Sequence, residues 1–347
     1  MQRISVGVIG AGGLANNVHL PALRDIESAD LVAVCDERHE RAKKASHDFG
    51  IPGAYANYHA MLAETKLDCV FVLTEPDRLY RVVADCIAKG IAVFMEKPPG
   101  ITLIQAESLY RESKKTGVTI GVGFNRRFIP VVVEALRILR EHTEITHVDG
   151  RFYKHGSASF YRGCASAFEC DTIHCLDFAS YIANGQVVTG AMIESSSGED
   201  VPNVWQTVMA FDSGVTANVC GHYMTGGRVH QLDIHGPGGS AYIDLGFGDS
   251  SCGAELILYN GTESHSIASK GVGDQNRITL DGRAVAGSDQ FYRYYGFYDE
   301  DVSFVKAVAS GEKPACDIGD GVKTMRLVEY LRGARLCPGD PGTGSRS

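Results

Sequence analysis

No stretch of this sequence stays apolar for the about 20 residues that a bilayer-spanning helix needs, so a helical membrane protein is not expected. The opening residues, MQRISVGVIG, pass straight into strand-like alternation without the charged and then apolar leader of a secreted chain. A cytoplasmic location is the expectation. The ten cysteines (Cys35, Cys69, Cys86, Cys164, Cys170, Cys175, Cys220, Cys252, Cys316 and Cys337) include no C-x-x-C pair, and in 347 residues they are too scattered for a disulfide framework. They read as reduced packing residues. Positive charge is short as well. With 33 basic against 42 acidic residues the net charge is −9, which offers no field to a phosphate backbone and argues against nucleic acid as a partner. Internal repeats are missing too. Apolar side chains, at 44%, are plentiful enough for two cores of ordinary size.

Apolar runs of strand length recur at Ile4–Ile9, Leu31–Cys35, Cys69–Leu73, Ile91–Met95 and Val118–Val122, and helix-period segments fill most of the intervals. Strands alternating with helices imply a parallel sheet covered on both faces, with ligands expected beyond the carboxyl ends of its strands. Asp77 is the predicted cap of one helix, running to Lys89-Gly90. Thr102 and Gln105 make a capping-box pattern on another that stops at Gly117. From about Phe124 the pattern changes to a helix followed by alternating strands with glycine turns at Gly226-Gly227 and Gly236 to Gly239. The expected fold is therefore an α/β Rossmann domain over residues 1–123 and an α+β domain over 124–337. The glycine- and proline-rich tail, 338–347, is predicted to be disordered.

The first strand ends in GAGGLA. Gly10, Gly12 and Ala15 fit G-x-G-x-x-A between a strand and a helix, where bare backbone lets a pyrophosphate approach the unpaired N–H groups of the helix start. A tight turn with no ligand is the competing reading of an isolated match. Asp36, at the end of the second strand, adds context, because a carboxylate there can accept both ribose hydroxyls of an adenosine and would repel a 2′-phosphate. NAD is therefore the expected cofactor, with NADP as the alternative on account of Arg38. The fourth and fifth strands end in LTEPDRLY and VFMEKPPG, on the same rim as the glycine turn. Pro98 and Pro99 cannot continue a ladder and hold the backbone at Lys97. A solvated rim charge is the bland alternative for that lysine.

In this order, GAGGLA, Asp36, TEPD, EKPPG, GFNRRF and DTIHCLD resemble the glucose–fructose oxidoreductase / myo-inositol dehydrogenase (Gfo/Idh/MocA) family. HQLDIHGPGGSAYIDL is similar to that family's strand–turn–strand in the second domain, and FYDEDVSFVKAVASGEKPACDIGDGVKTMRLVEYL to its closing helices. The resemblance covers residues 4 to about 335. It implies a two-domain NAD(P)-dependent oxidoreductase of sugars, inositols or their derivatives, homodimeric or homotetrameric through the second domain's sheet, which is expected to be large, open, mixed and mostly antiparallel. It implies that Lys97 lies between nicotinamide and substrate, that His174 exchanges the proton, and that Asp171 assists. It also implies cofactor contacts at Gly10, Ala11, Gly12, Gly13, Leu14, Asp36, Thr74, Pro76, Glu96 and Lys97. Three residues depart from the family pattern: Cys170 stands four positions before the histidine where the family has its acid, Tyr80 replaces a histidine, and Glu75 adds an acid between Thr74 and Pro76.

The residue types suit alcohol oxidation. Hydride from carbon has an acceptor on nicotinamide, the proton from oxygen needs a base, and an imidazole beside an ammonium is suited to take it. Asp171, His174 and Asp177, three apart on a predicted helix, are expected to share one face, with a carboxylate favouring the protonated imidazole. Arg126, Arg127, Lys154, His155, Tyr161 and Arg162 supply polar groups near the predicted site, and Arg127, His155, Tyr161 and Arg162 are taken as the substrate candidates. The spacing of Cys164, Cys170, His174 and Cys175 fits no closed zinc pattern, so no metal is expected. Two other readings remain open from the sequence: a glycosidase using NAD for transient oxidation, and a non-catalytic NAD/sugar sensor of the same fold.

Overall fold

The computed structural model describes residues 3–160, 165–247, 252–259 and 275–335. Tyr161, Arg162, Cys164, Cys337 and the tail lie outside the described residues. The first sheet contains β1 (Ile4–Ile9), β2 (Ala29–Cys35), β3 (Gly53–Tyr55), β4 (Cys69–Val72), β5 (Ala92–Glu96) and β6 (Ile120–Gly123). Its strands run parallel in the order β3-β2-β1-β4-β5-β6. The order reverses between β1 and β4, where a doubly wound sheet leaves its ligand crevice. A wide π turn at Ala15–His19 leads into α1 (Leu20–Arg24), and α2 (His39–Phe49), α3 (Tyr58–Glu64), α4 (Pro76–Ala88) and α5 (Leu103–Thr116) make the remaining crossovers.

Two helix starts differ from expectation. α4 begins at Pro76 with Glu75 as its extended N-cap residue, so Asp77 sits inside the first turn. Proline needs no partner for a missing N–H at that position, and a carboxylate one residue on still favours the helix dipole. At α5, Thr102 does accept from the Gln105 N–H at 3.4 Å, but the Gln105 side chain takes the Ile101 N–H at 2.8 Å, so the box does not close on Thr102. The short β3, which its three residues left without a readable period, was not foreseen.

Past β6 come a 3₁₀ turn (Asn125–Phe128), α6 (Pro130–His142), β7 (His147–His155), a two-strand ladder of β8 (Ser159–Phe160) with β9 (Ala165–Ser166), a π turn (Phe168–Thr172) and α7 (Ile173–Ala183). β10 (Val187–Ser195), β11 (Val204–Phe211), β12 (Thr216–His222), β13 (Met224–Gly236), β14 (Gly239–Asp244), β15 (Gly253–Tyr259) and β16 (Gln275–Asp281) complete an eight-stranded sheet with β7. Its order is β10-β11-β12-β7-β13-β14-β15-β16, antiparallel except for the β12–β7 pair. One face is covered by α6 and α7. Gly150 in β7 makes that cover close: a Cβ there would sit 2.3 Å from Cys175 Sγ of α7. The opposite face carries polar pairs such as Arg151–Asp233 together with exposed Ile193, Val208 and Tyr242.

The chain then returns to the first sheet through α8 (Gly282–Ala286), α9 (Phe291–Tyr294), α10 (Phe297–Ser310) and α11 (Ile318–Gly333). Phe304 of α10 meets the rings of Phe71 in β4 and Phe94 in β5 at 5.4 and 5.6 Å. Truncating such a buried ring costs about 3–5 kcal/mol. α11 packs on α5, β6 and α7. The closing helices thus clamp the two sheets together, which fixes how residues of one domain stand against residues of the other.

Candidate active site

β1 ends at Gly10, whose φ is +102°. A side chain there would meet the Leu73 carbonyl oxygen at 2.6 Å, so the close approach of the β1 and β4 ends demands glycine. Gly12 is different: a Cβ would meet nothing within 4 Å. Its backbone faces a cleft of about 520 Å³ that is also lined by Gly10, Asp36, Arg38, Thr74 and Glu75. A neighbouring cleft of about 490 Å³ is bordered by Ala11, Gly12, Gly13 and Asn16. Asp36 accepts the N–H groups of Ala11 and Arg38, both at 2.9 Å, and so ties the glycine turn to the end of β2. Each carboxylate oxygen keeps a further lone pair for a ribose hydroxyl. Thr74 Oγ1 is buried beside the cleft with no partner among the described residues. Open backbone, a carboxylate and an orphaned hydroxyl along one crevice fit a dinucleotide.

One expected contact, Glu96, has partners of its own. Glu96 does not turn toward the cleft. Its carboxylate lies 3.3 Å from His19 Nε2, and His19 Nδ1 lies 3.0 Å from Asp301 of α10. Burial alone lowers the His19 pKa, but the carboxylates of Asp301 and Glu96 overcome it and raise the imidazole to about 10. Glu96 therefore braces the strand end from beneath. Pro76 is buried at the start of α4, Leu14 is exposed just after the glycine turn, and Tyr80 bonds Ser108 between α4 and α5 at 3.1 Å. Arg78 and Glu37 form an ion pair at the edge of the cleft.

Lys97 follows directly on β5. Its Nζ donates to the Cys170 carbonyl at 2.8 Å. That carbonyl belongs to the π turn leading into α7, and His174 stands four residues further on. His174 is only 4% exposed, its ring edge-on to Phe124, and Nδ1 is enclosed without a partner among the described residues. Burial lowers its pKa well below the usual histidine value, and the charges of Arg126 and Lys97 lower it further. The imidazole is neutral, contrary to the expected carboxylate-favoured imidazolium.

The reason is the fate of the two acids. Asp171 accepts from Lys154 of β7 and from the Tyr223 hydroxyl. Burial would raise its pKa, yet Lys97, Lys154 and Arg126 outweigh that and hold the carboxyl well below the usual range. Asp177 takes a two-pronged ion pair from Arg127 at 2.6 and 2.8 Å and a hydrogen bond from Thr324 of α11 at 2.7 Å. The π turn breaks the even three-residue spacing, so the acids diverge and neither bonds the imidazole. Arg127, expected at the substrate, instead locks the 3₁₀ turn to α7 and α11, and it borders a separate cleft with Asn184 and Lys323. His155 is exposed at the end of β7, and strand alternation turns it away from the face on which its neighbour Lys154 reaches Asp171.

Sequence reasoning passed over Tyr223, Arg228 and His230. The ring of His230 stacks on Phe152 at 4.2 Å, and Lys154 lies over Tyr223 at 4.6 Å. Strand parity puts His230 on the covered face beside Phe152, but Tyr223 falls between β12 and β13, Arg228 sits in a break of the β13–β7 register, and no local spacing connects β13 to Lys97. Among the described residues no group of three or more His, Cys, Asp or Glu side chains could hold a metal ion.

A parallel sheet with an open glycine turn at its switch point, clamped to a second sheet that brings a buried imidazole up to a strand-end lysine, is the build of a nicotinamide-dependent oxidoreductase. Residues 4–124 match the model of GFO_IDH_MocA, described as an oxidoreductase family with an NAD-binding Rossmann fold. Myo-inositol 2-dehydrogenase of Thermotoga maritima is 26% identical over 343 residues, 93% of each chain. The scyllo-inositol 2-dehydrogenase (NAD(+)) of Bacillus subtilis is 25% identical over 228 residues, 63% of this chain and 67% of that one. A dehydrogenase structure from Chromobacterium violaceum superposes with a TM-score of 0.84 over 96% of both chains at 22% identity, which extends the shared fold across both domains. Residues 4–124 thus carry the NAD-binding Rossmann fold of the Gfo/Idh/MocA oxidoreductase family, and the likeness to inositol dehydrogenases runs over most of the remaining chain.

Proposed function

We propose that the protein oxidises, or in reverse forms, a secondary hydroxyl of a sugar, an inositol or a derivative of one, with NAD as partner, and that Lys97 and His174 act on the reacting oxygen. The observation that carries this reading is the Lys97–Cys170 hydrogen bond of 2.8 Å, which sets the ammonium one helical turn from a buried neutral imidazole. The inositol dehydrogenases among its relatives supply the substrate class.

Gly12 and the free lone pairs of Asp36 would hold the pyrophosphate and the adenosine ribose, and Thr74 would donate from the same crevice; the Asp36 charge favours NAD over NADP. Bound nicotinamide supplies the hydride acceptor. Lys97 holds the substrate oxygen by hydrogen bonding and stabilises its alkoxide character as the carbon loses hydride. His174, kept unprotonated by burial and by its cationic neighbours, takes the hydroxyl proton. Asp171 keeps Lys154 and Tyr223 in place around them.

Purified protein with NAD⁺ and a panel of inositols and aldoses, followed at the reduced-nicotinamide absorbance band, tests the reading. Lys97→Ala and His174→Ala should abolish turnover while NAD binding persists. Normal turnover by His174→Ala would remove that residue from the mechanism. Ile193, Val208 and Tyr242 on the uncovered sheet face support a homo-oligomer formed through that face, to be checked by light scattering. The free thiols of the eight described cysteines suit the cytoplasm.

A further inference from the structure

Positive charge is concentrated around His174 although the chain as a whole is acidic. Lys97, Arg126, Lys154 and Arg228 arrive from four separate elements: the end of β5, the 3₁₀ turn, β7 and β13. Among the described residues, Asp171 is the carboxylate that meets them, and it is spent on Lys154. Arg126 is 5% exposed and lies between the rings of Phe152 and Tyr295, at 5.3 and 5.8 Å. Its Nη1 donates to Asn125 at 3.1 Å, its Nε is enclosed and unpartnered, and no described carboxylate comes within ion-pairing distance. Glu300 is no counter-ion, because burial and the nearby Glu96 and Asp301 raise its pKa well above the usual value. A buried guanidinium without an anion is expensive for a fold to keep.

Arg228 has a related setting. The β13–β7 register breaks between Met224 and Val229, so Arg228 is lifted off the ladder, and its guanidinium lies over Phe247 at 3.4 Å. Phe247 in turn meets Tyr295 edge-on at 5.8 Å, and Tyr295 is the ring beneath Arg126. The two guanidiniums thus share one aromatic wall, with no described carboxylate on either. Planar cations stacked in this way keep their N–H edges available for an oxyanion.

We propose that the substrate bears an acidic group, a carboxylate or a phosphate on the sugar or polyol, and that Arg228 and Arg126 receive it. This deepens the dehydrogenase reading and rests on it. Asp171, pulled low by Lys97, Lys154 and Arg126, reports the same excess of positive charge. Neutral hydroxyls alone would leave that excess uncompensated.

The test is calorimetric titration of the NADH-loaded protein with D-glucuronate, D-galacturonate and D-glucose 6-phosphate, each against its neutral parent, D-glucose or D-galactose. A charge-assisted contact contributes roughly tenfold to a hundredfold in affinity. At least one acid should therefore bind about tenfold or more tighter than its parent, the advantage should shrink in high salt, and Arg228→Met should bring the acid down toward the parent. The uronate and phosphate arms identify which oxyanion is preferred. Arg228 is exposed, so this variant keeps its fold, which near-ultraviolet circular dichroism verifies. Equal binding of acid and parent, or an advantage untouched in both Arg228→Met and Arg126→Met, overturns the proposal. Oxidation of a neutral inositol without any acid preference defeats this inference alone. Acid binding with no NAD reduction on any panel member defeats the dehydrogenase reading and leaves the oxyanion site standing.

Discussion

The two walls of this site are made of different material. The cofactor wall is backbone: Gly10 at a φ no other residue holds easily, Gly12 opening onto free space, and an aspartate that binds two amide N–H groups. The wall proposed for the substrate is side chains, drawn from the 3₁₀ turn, β7, the π turn, α7, β13 and the residues that follow β12 and α9, and held by ion pairs and stacked rings. A backbone cradle suits a ligand common to a whole family, whereas a wall of side chains can be revised one residue at a time without disturbing the fold. The first wall therefore speaks for the cofactor and the second for the substrate.

If the cofactor wall is backbone-made, Gly10→Val should be the most damaging single change. A branched side chain would collide with the Leu73 carbonyl and distort the turn, so NAD affinity should fall by a hundredfold or more, about 3 kcal/mol, as read by nicotinamide-nucleotide titration. An affinity within threefold of the parent would show that the turn does not contact the dinucleotide.

Beneath that wall, His19→Gln should leave Asp301 and Glu96 without their imidazolium. Breaking a buried pair from one side costs about 3–5 kcal/mol, to be measured by urea unfolding near pH 7. The pH dependence is equally specific. The folded-state pKa of about 10 exceeds the unfolded value near 6.5, so this stabilisation is complete below pH 6.5 and is lost as pH rises toward 10. The His19→Gln variant should close part of the gap to the parent as pH rises through that window, and a gap independent of pH would contradict the pairing.

A smaller effect separates the walls by titration. Because burial and Arg126 keep His174 neutral, the acidic limb of kcat/KM, which reports the free enzyme, should lie below pH 6.5. A limb above pH 7 would mean that a carboxylate does support the imidazolium after all.

The same contrast explains what could be read from the sequence. GAGGLA, Asp36 and EKPPG are local, each lying at the end of one strand, and strand order alone brings them to one rim. The parallel character of the first sheet followed from periodicity, and the mixed second sheet and the closing helices from family likeness. What escaped was set by contacts across long separations. Glu96 was assigned to the cofactor because nothing near it in the sequence announces His19 and Asp301, 77 residues before it and 205 after it. Arg127 was assigned to substrate for want of any sign that Asp177 and Thr324 would claim it. Lys154 and His155 are neighbours with opposite faces, and choosing between them requires the exact phase of β7. The π turn before α7 undid a three-residue spacing that an ordinary helix would have kept.

The central claim is that Lys97 and His174 serve one reacting oxygen. A double-mutant cycle on kcat/KM, with Lys97→Ala, His174→Ala and the pair on whichever polyol the panel identifies, tests it most directly. Each single change should cost on the order of 10²–10⁴ in rate, and the pair should cost little more than the worse single change, because removing either group disables the same proton transfer. Losses that multiply in full would place the two residues at independent tasks and contradict the account.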